Sequence, residues 1–275
     1  MKGLFEELQS LMARYRFRPL KRLSQHFLVS ETLIESMAKQ ASLKDDDVVL
    51  EIGCGTGFLT RELLKHSSVI GFEIDESLQG LLEAEIQNPS FTLLKESVLK
   101  AELPKFSKIV SAPPYSISSE IMHLLFKQDF KLGILLFEKA FVEKILSMPG
   151  FKDYCATAVL SQYFFSIKPL EVVKPEAFFP KPKTESQLIS IIPEKKFGNA
   201  KNDLLFEEFA KQLFRFKNKN FAKALQHSQA FLKAKLKTRN NAFEEFLDSS
   251  SISQTKVHLV EVKEFVQAFN SLCNA

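Results

Sequence analysis

The sequence has no tryptophan, four tyrosines and three cysteines, and it holds no apolar run of membrane-spanning length. A transmembrane helix needs about 20 apolar residues in succession, so no membrane-spanning helix is expected. Residues 1–23, MKGLFEELQSLMARYRFRPLKRL, lack the apolar stretch and cleavage site of a secretory signal and read as a short amphipathic helix. Cys54, Cys155 and Cys273 are odd in number and far apart, without metal-ligand spacing. That usage points to a reducing, cytoplasmic compartment. His26, His66, His123, His227 and His258 are scattered, so no metal is expected. Phenylalanine is abundant, with 27 residues recurring at helical spacing, and reads as core filling.

Acids are missing from two stretches. Residues 14–22 hold five bases and no acid: Arg14, Arg16, Arg18, Lys21 and Arg22. Residues 211–240 hold nine: Lys211, Arg215, Lys217, Lys219, Lys223, Lys233, Lys235, Lys237 and Arg239. On a chain of net charge +4 these stretches fit a polyanionic partner or, equally, two solvated helix faces.

The 275 residues suffice for one large domain with an appendage, or for two domains. Short apolar runs at 48–52, 69–74, 91–94, 108–111 and 132–137 read as buried strands. Amphipathic segments such as 58–65 and 77–86 lie between them. This alternation predicts an α/β fold with a parallel sheet covered on both faces. A helix precedes the first strand, capped by Ser30, with Leu33, Ile34, Met37 and Ala38 on its apolar face. Strands are also expected at 164–173 and 186–192, joined by a proline-rich stretch, 174–183, that suits neither helix nor central strand. After a polar linker the patterns at 204–216, 240–250 and 262–272 are helical. The domain division is placed near 195.

The strongest local signal is VVLEIGCGTGFLTRELL, 48–64. An apolar strand enters Gly53, Gly55 and Gly57 and leaves as an amphipathic helix. Glycines permit a sharp turn and close approach to a ligand. The third glycine comes two residues after the second, not three as in the dinucleotide fingerprint. Glu51 adds a carboxylate suited to a cationic or amine-bearing ligand. The second strand ends at Glu73-Ile74-Asp75, where Glu73 can accept from both hydroxyls of a ribose and Asp75 can cap the next helix. The fourth strand enters SAPPYSIS, 111–118, whose prolines present Tyr115 as a rigid platform for a flipped-out base, or form a plain structural turn.

Taken together, KRLSQHFLVS (21–30), VLEIGCGTGFLT, FEID, VSAPPYSISS, KPEAFFPKPKTES (174–186) and LFRFKNKNFAKAL (213–225) resemble, in order, six motifs of the KsgA-type family of small-subunit rRNA adenine N6,N6-dimethyltransferases. The resemblance implies a Rossmann-like methyltransferase domain at 1–195, with a mostly parallel seven-stranded sheet, and a small all-α RNA-binding domain at 196–275. It implies S-adenosylmethionine as cofactor, held by Gln25, His26, Leu28, Gly53, Gly55, Glu73, Ile74, Ser97, Val98 and Ala112. Ala112, Pro113, Pro114 and Tyr115 would hold the target adenine. Arg215, Lys217, Lys219 and Lys223 would grip phosphates of small-subunit rRNA in an immature ribosomal subunit, and the chain would act as a monomer in ribosome assembly. In the family the amine of adenine is oriented by a signature Asn oxygen and a backbone carbonyl, without metal or covalent intermediate.

Three positions depart from the family pattern. The signature Asn is Ala112, which has no acceptor side chain. The Asp that accepts from the cofactor's adenine amine is Ser97, which bonds without charge. The glycine of the first motif is Ser24. These departures imply weaker cofactor binding and slower transfer. They leave open an assembly factor of this fold that has lost methyl transfer, or an enzyme with a changed target.

Overall fold

The computed structural model describes residues 3–236, 246–247 and 250–273. The chain separates into two compact units, residues 1–142 with 167–193 and residues 143–166 with 194–275. The sequence places one division near 195, whereas the chain crosses between units three times.

The elements run in the order α1 (Leu4–Tyr15), β1 (Phe27–Leu28), α2 (Glu31–Ala41), β2 (Val48–Ile52), α3 (Phe58–Leu63), β3 (Ser68–Phe72), α4 (Glu76–Glu85), β4 (Phe91–Leu94), β5 (Lys108–Ser111), α5 (Ser118–Leu125), β6 (Leu132–Glu138), α6 (Lys139–Ile145), α7 (Ala156–Phe164), β7 (Phe165–Val173), β8 (Phe178–Phe179), β9 (Ser186–Pro193), α8 (Asp203–Phe214), α9 (Phe221–Leu236) and α10 (Val262–Leu272). Seven strands form one sheet in the order β4-β3-β2-β5-β6-β9-β7. The pairs β3–β4, β2–β3, β2–β5 and β5–β6 are parallel, and β6–β9 is antiparallel. The central strands are short apolar runs because both faces are covered: Val49, Leu50, Ile109 and Val110 are fully buried. From β2 the order runs outward to β3 on one side and to β5 on the other. Such a switch point opens a crevice at the strand carboxyl ends, where open α/β folds bind ligands.

Ser30 caps α2, its Oγ accepting from Leu33 N at 3.3 Å, and Leu33, Ile34, Met37 and Ala38 are buried as their spacing predicts. The third strand stops at Phe72, short of the expected 74, because Asp75 caps α4 by accepting from Ser77 N at 3.1 Å. The helix expected over 58–65 ends at Leu63. Within the proline-rich 174–183, Phe178 and Phe179 pair antiparallel with Leu28 and Phe27 in a separate two-stranded ladder.

In the second unit the phenylalanines do fill a core: Phe206, Phe209, Phe221, Phe265 and Phe269 are fully buried. Helix α7 and the turn before it join them through the buried Tyr163 and Tyr154. The Tyr163 hydroxyl donates to Asp203 Oδ1 at 2.8 Å, and the Tyr154 hydroxyl donates to the Val260 carbonyl at 2.9 Å. These contacts draw 143–166 out of the sheet unit. Lys237, Arg239, most of the expected helical stretch 240–250 and the Lys233 side chain lie outside the described residues. Among the described residues no helix is long and apolar enough to cross a membrane.

Gly71 in β3 is a point of close approach. A Cβ there would stand 2.2 Å from Cys54 Sγ and 3.0 Å from the Phe91 ring. Gly71→Ala is therefore expected to cost about 1–3 kcal/mol in urea unfolding, with partial recovery when Cys54→Ala is added. Unchanged stability of the single variant would contradict this packing.

Candidate active site

The site is built at the carboxyl ends of β2, β3 and β5. After Ile52 the chain turns so that Gly53 N and Cys54 N both donate to the Phe72 carbonyl, at 2.8 and 3.2 Å. Gly55 adopts φ +58°, a conformation that favours glycine, and a Cβ there would meet the Phe27 ring at 3.3 Å. Its N–H donates to Glu73 Oε2 at 2.9 Å. Glu73 Oε1 accepts from Ile74 N at 2.8 Å and from Asp75 N at 2.9 Å. Burial pushes the Glu73 carboxyl above its ordinary range, while the three amide donors oppose the shift. A carboxylate offers about four lone-pair sites, so acceptor capacity remains for a ligand.

On the other side Ser111 pins β5 to β2, its Oγ donating to the Ile52 carbonyl at 2.7 Å and accepting from Ile52 N at 3.2 Å. This places Ala112, Pro113, Pro114 and Tyr115 beside the glycine loop. The Tyr115 hydroxyl bonds Ser186 Oγ at 2.5 Å, and its ring lies 6.0 Å from the His26 ring at an interplanar angle of 20°. His26 Nδ1 lies 2.6 Å from the Pro180 carbonyl, which only accepts, so this nitrogen carries the proton. Burial pushes the Tyr115 hydroxyl above its ordinary range.

A single cavity of about 260 Å³ joins the two sides. Its walls include Gln25, His26, Leu28, Gly53, Gly55, Glu73, Ile74, Ser97, Val98, Ala112, Pro113, Pro114 and Tyr115, so every pocket residue expected from the sequence is brought together. Gln25 has its amide engaged, Nε2 donating to Asp75 Oδ2 at 2.8 Å and Oε1 accepting from Leu20 N at 2.7 Å. It ties the N-terminal segment across the pocket. Ser24, the position of the family's glycine, holds φ +50°, the left-handed backbone that glycine adopts without cost. Phe27, Phe58, Leu78 and Phe178 also line the cavity; the first, second and last lie inside motifs quoted from the sequence, but as apolar residues they read there as core rather than as pocket wall. Arg215, Lys217, Lys219 and Lys223 belong to the second unit and are all exposed, and none forms an ion pair with another described residue.

Glu51 lies in the cavity wall almost fully buried and accepts from Thr60 Oγ1 at 2.7 Å. Burial pushes its carboxyl from the ordinary 4.5 up to about 8; the Thr60 hydroxyl opposes the shift and the charge of Glu73 reinforces it. The folded chain thus holds a proton that the unfolded chain releases. Through this group, stability of the ligand-free protein is full below about pH 4.5 and is lost as pH rises toward about 8. Glu51→Gln is expected to flatten that part of the profile in thermal unfolding across this window. A variant as pH-sensitive as its parent would contradict the assignment.

The sequence profile described as ribosomal RNA adenine dimethylase matches residues 16–258. A "Probable ribosomal RNA small subunit methyltransferase A" from Pyrococcus furiosus is 31% identical over 268 residues, covering 95% of this chain and 97% of that one. A protein of the same description from Methanosarcina barkeri is 35% identical over 233 residues, covering 84% and 81%. A dimethyladenosine transferase from Plasmodium falciparum shares the fold with a TM-score of 0.74 at 24% identity, covering 88% of this chain and 96% of its own. The 23S rRNA methyltransferase ErmE does so with a TM-score of 0.63 at 24% identity, covering 90% and 99%. Those two likenesses bear on fold alone. The relatives of like length and the profile running through both units leave one assignment: this chain belongs to the ribosomal RNA adenine dimethylase family.

Proposed function

We propose that this chain uses S-adenosylmethionine to methylate the N6 amines of adenines in small-subunit rRNA, as an N6,N6-dimethyltransferase acting in ribosome assembly. The observation that carries the reading is the single cavity shared by the Gly53–Gly55 turn with Glu73 and by the Pro113–Tyr115 turn. One side accepts a nucleoside and the other presents a flat ring, so donor and acceptor meet in one space.

The residues present fit the cofactor. Glu73 keeps lone pairs for ribose hydroxyls while its amide bonds hold it in place. Ile74 and Val98 offer apolar contact to an adenine ring, and Ser97 offers its hydroxyl to the ring's amine. Glu73 faces the pocket as a carboxyl held by amide donors, and Glu51, which keeps its proton in the ligand-free chain, is a second carboxyl in the wall that a cationic ligand would drive toward its ionised form. Bound there, the cofactor supplies an electrophilic methyl group on a sulfonium. Tyr115 stacks on the target base, braced by Ser186. The backbone carbonyls of Pro113 and Pro114 are the acceptors left for the adenine amine, and of the two Pro113 is the freer, because Pro114 already accepts from Ile117 N at 3.2 Å. Catalysis is then mainly positioning.

Arg215, Lys217, Lys219 and Lys223 supply phosphate contacts from the second unit. The free thiols Cys54, Cys155 and Cys273 support a reducing, cytoplasmic setting, and the family resemblance supports a monomer.

Ala112 favours a second reading, an RNA-binding assembly factor of this fold without transfer. Incubation of the full chain with immature small subunits and methyl-labelled cofactor decides between them. The enzyme reading expects transfer by the parent chain and roughly 100-fold faster transfer by Ala112→Asn, the size of effect seen when one positioning group is removed. Label transferred by the Asn variant alone would establish the assembly-factor reading. Reversing the charges of Arg215, Lys217 and Lys219 to Glu is expected to weaken RNA binding and lower the salt slope by roughly 0.7–0.9 per lost phosphate contact. Unchanged binding would refute their role.

A further inference from the structure

We propose that Phe151 is a base-stacking residue for unpaired RNA, presented by the second unit beside its basic turn. The proposal rests on the phosphate-binding reading of Arg215, Lys217 and Lys219, and adds a contact to bases.

The residues between α6 and α7 form a tight turn, with Phe151 N donating to the Met148 carbonyl at 3.2 Å. Phe151 is 68% exposed, more than any other large apolar side chain among the described residues. Met148 is 58% exposed and Leu259 is 44% exposed, and Leu259 Cδ2 lies 3.5 Å from where a Cβ on Gly150 would stand. Leu259 thus lies beside the turn that carries Met148 and Phe151. The Phe151 ring is held on a fixed base. Gly150 N donates to the His258 carbonyl at 2.8 Å, and Tyr154 N donates to the Phe151 carbonyl at 3.2 Å. Tyr154 itself is buried and bonded to Val260. This unit buries five other phenylalanines completely, so an outward ring here gives up the burial that stabilises a fold.

The same strip that holds the turn also holds the basic loop between α8 and α9. Val257 N donates to the Lys219 carbonyl at 3.0 Å and His258 N to the Lys217 carbonyl at 3.2 Å. His258 Nδ1 donates to that carbonyl at 2.8 Å. Lys217 and Lys219 are exposed and unpaired among the described residues, and the Arg215 guanidinium donates to Gln212 Oε1 at 3.2 Å. Lys152, next to Phe151, and Lys256, next to Val257, are exposed as well. Of the acids close in sequence, Glu261 and Glu264 are engaged in the capping box of α10, and Asp153 is exposed. A flat ring flanked by free cations is the pattern that takes single-stranded nucleic acid: cations follow the phosphates while bases stack on the ring. Duplex RNA hides its base faces and would use the cations alone.

The test is a titration of the full-length chain into two RNAs, a hairpin with 2-aminopurine in its unpaired loop and a blunt duplex. Phe151→Ala is expected to weaken binding of the looped RNA roughly tenfold and to abolish 2-aminopurine quenching, with duplex binding and salt slope unchanged. Phe151→Tyr should restore both. Thermal unfolding should not move, because the side chain is exposed. Charge reversal of Arg215, Lys217 and Lys219 should weaken both RNAs. If Phe151→Ala binds looped RNA as tightly as its parent while charge reversal weakens both, stacking is overturned and phosphate binding stands. An equal loss on loop and duplex also overturns it. If Phe151→Ala keeps its RNA affinity but loses affinity for ribosomal proteins of the small subunit, Phe151 belongs to a protein-binding surface and stacking is overturned. If the parent binds neither RNA, the phosphate-binding reading fails as well.

Discussion

Three backbone N–H groups converge on the buried Glu73 carboxylate, and the pocket depends on that convergence. One comes from Gly55 in the turn after β2, and two come from Ile74 and Asp75 in the turn after β3. The carboxylate fixes the spacing of two strand-to-helix turns and still has lone pairs to offer. Burial favours the protonated form of a carboxyl in such a place, and the three amide donors work against that shift. Glu51, nearby and bonded to a single hydroxyl, has no such support and keeps its proton further up the pH scale.

The N-terminal segment closes the other side of the pocket, and it is fastened at several points. Arg14 and Tyr15 both bond Glu85 Oε1, at 2.7 and 2.5 Å, and Arg61 pairs with Glu7 at 2.7 Å. Gln25 reaches Asp75, His26 reaches the Pro180 carbonyl, and β1 pairs with β8. The surface ion pairs among these contribute little each. The bonds of Gln25 and His26, half-buried at the pocket, set where Phe27 lies over the glycine turn. Ser24 keeps a left-handed backbone in this strap without the glycine that would relieve it, so the turn is held by its surroundings.

The sheet was legible because its central strands are buried on both faces and so appear as short apolar runs. The glycine turn and Ser30 were legible because each answers to one local rule of backbone geometry. The ladder of Phe27–Leu28 with Phe178–Phe179 was not, since two residues have no periodicity and their partners lie far apart in sequence. Nor was the grouping of residues 143–166 with the C-terminal helices, which depends on where the Tyr154 and Tyr163 hydroxyls find acceptors. For the site, spacing located Glu51, Glu73 and Tyr115. It could not show that Gln25 spends its amide on Asp75 and Leu20, or that Thr60 bonds Glu51. Those are tertiary facts. The replacement of a family acceptor by Ala112 was plain in the sequence, and the structure adds that Pro113 remains beside it in the pocket wall.

Calorimetric titration of the purified full chain with S-adenosylmethionine, beside Glu73→Gln, tests the central claim most directly. Loss of a charged acceptor for two hydroxyls is worth about 1.5–3 kcal/mol, so the variant should bind at least about tenfold more weakly while its thermal unfolding still reports a folded chain. A parent chain that takes up no cofactor, or a Gln variant that binds it as tightly as the parent, would contradict the account.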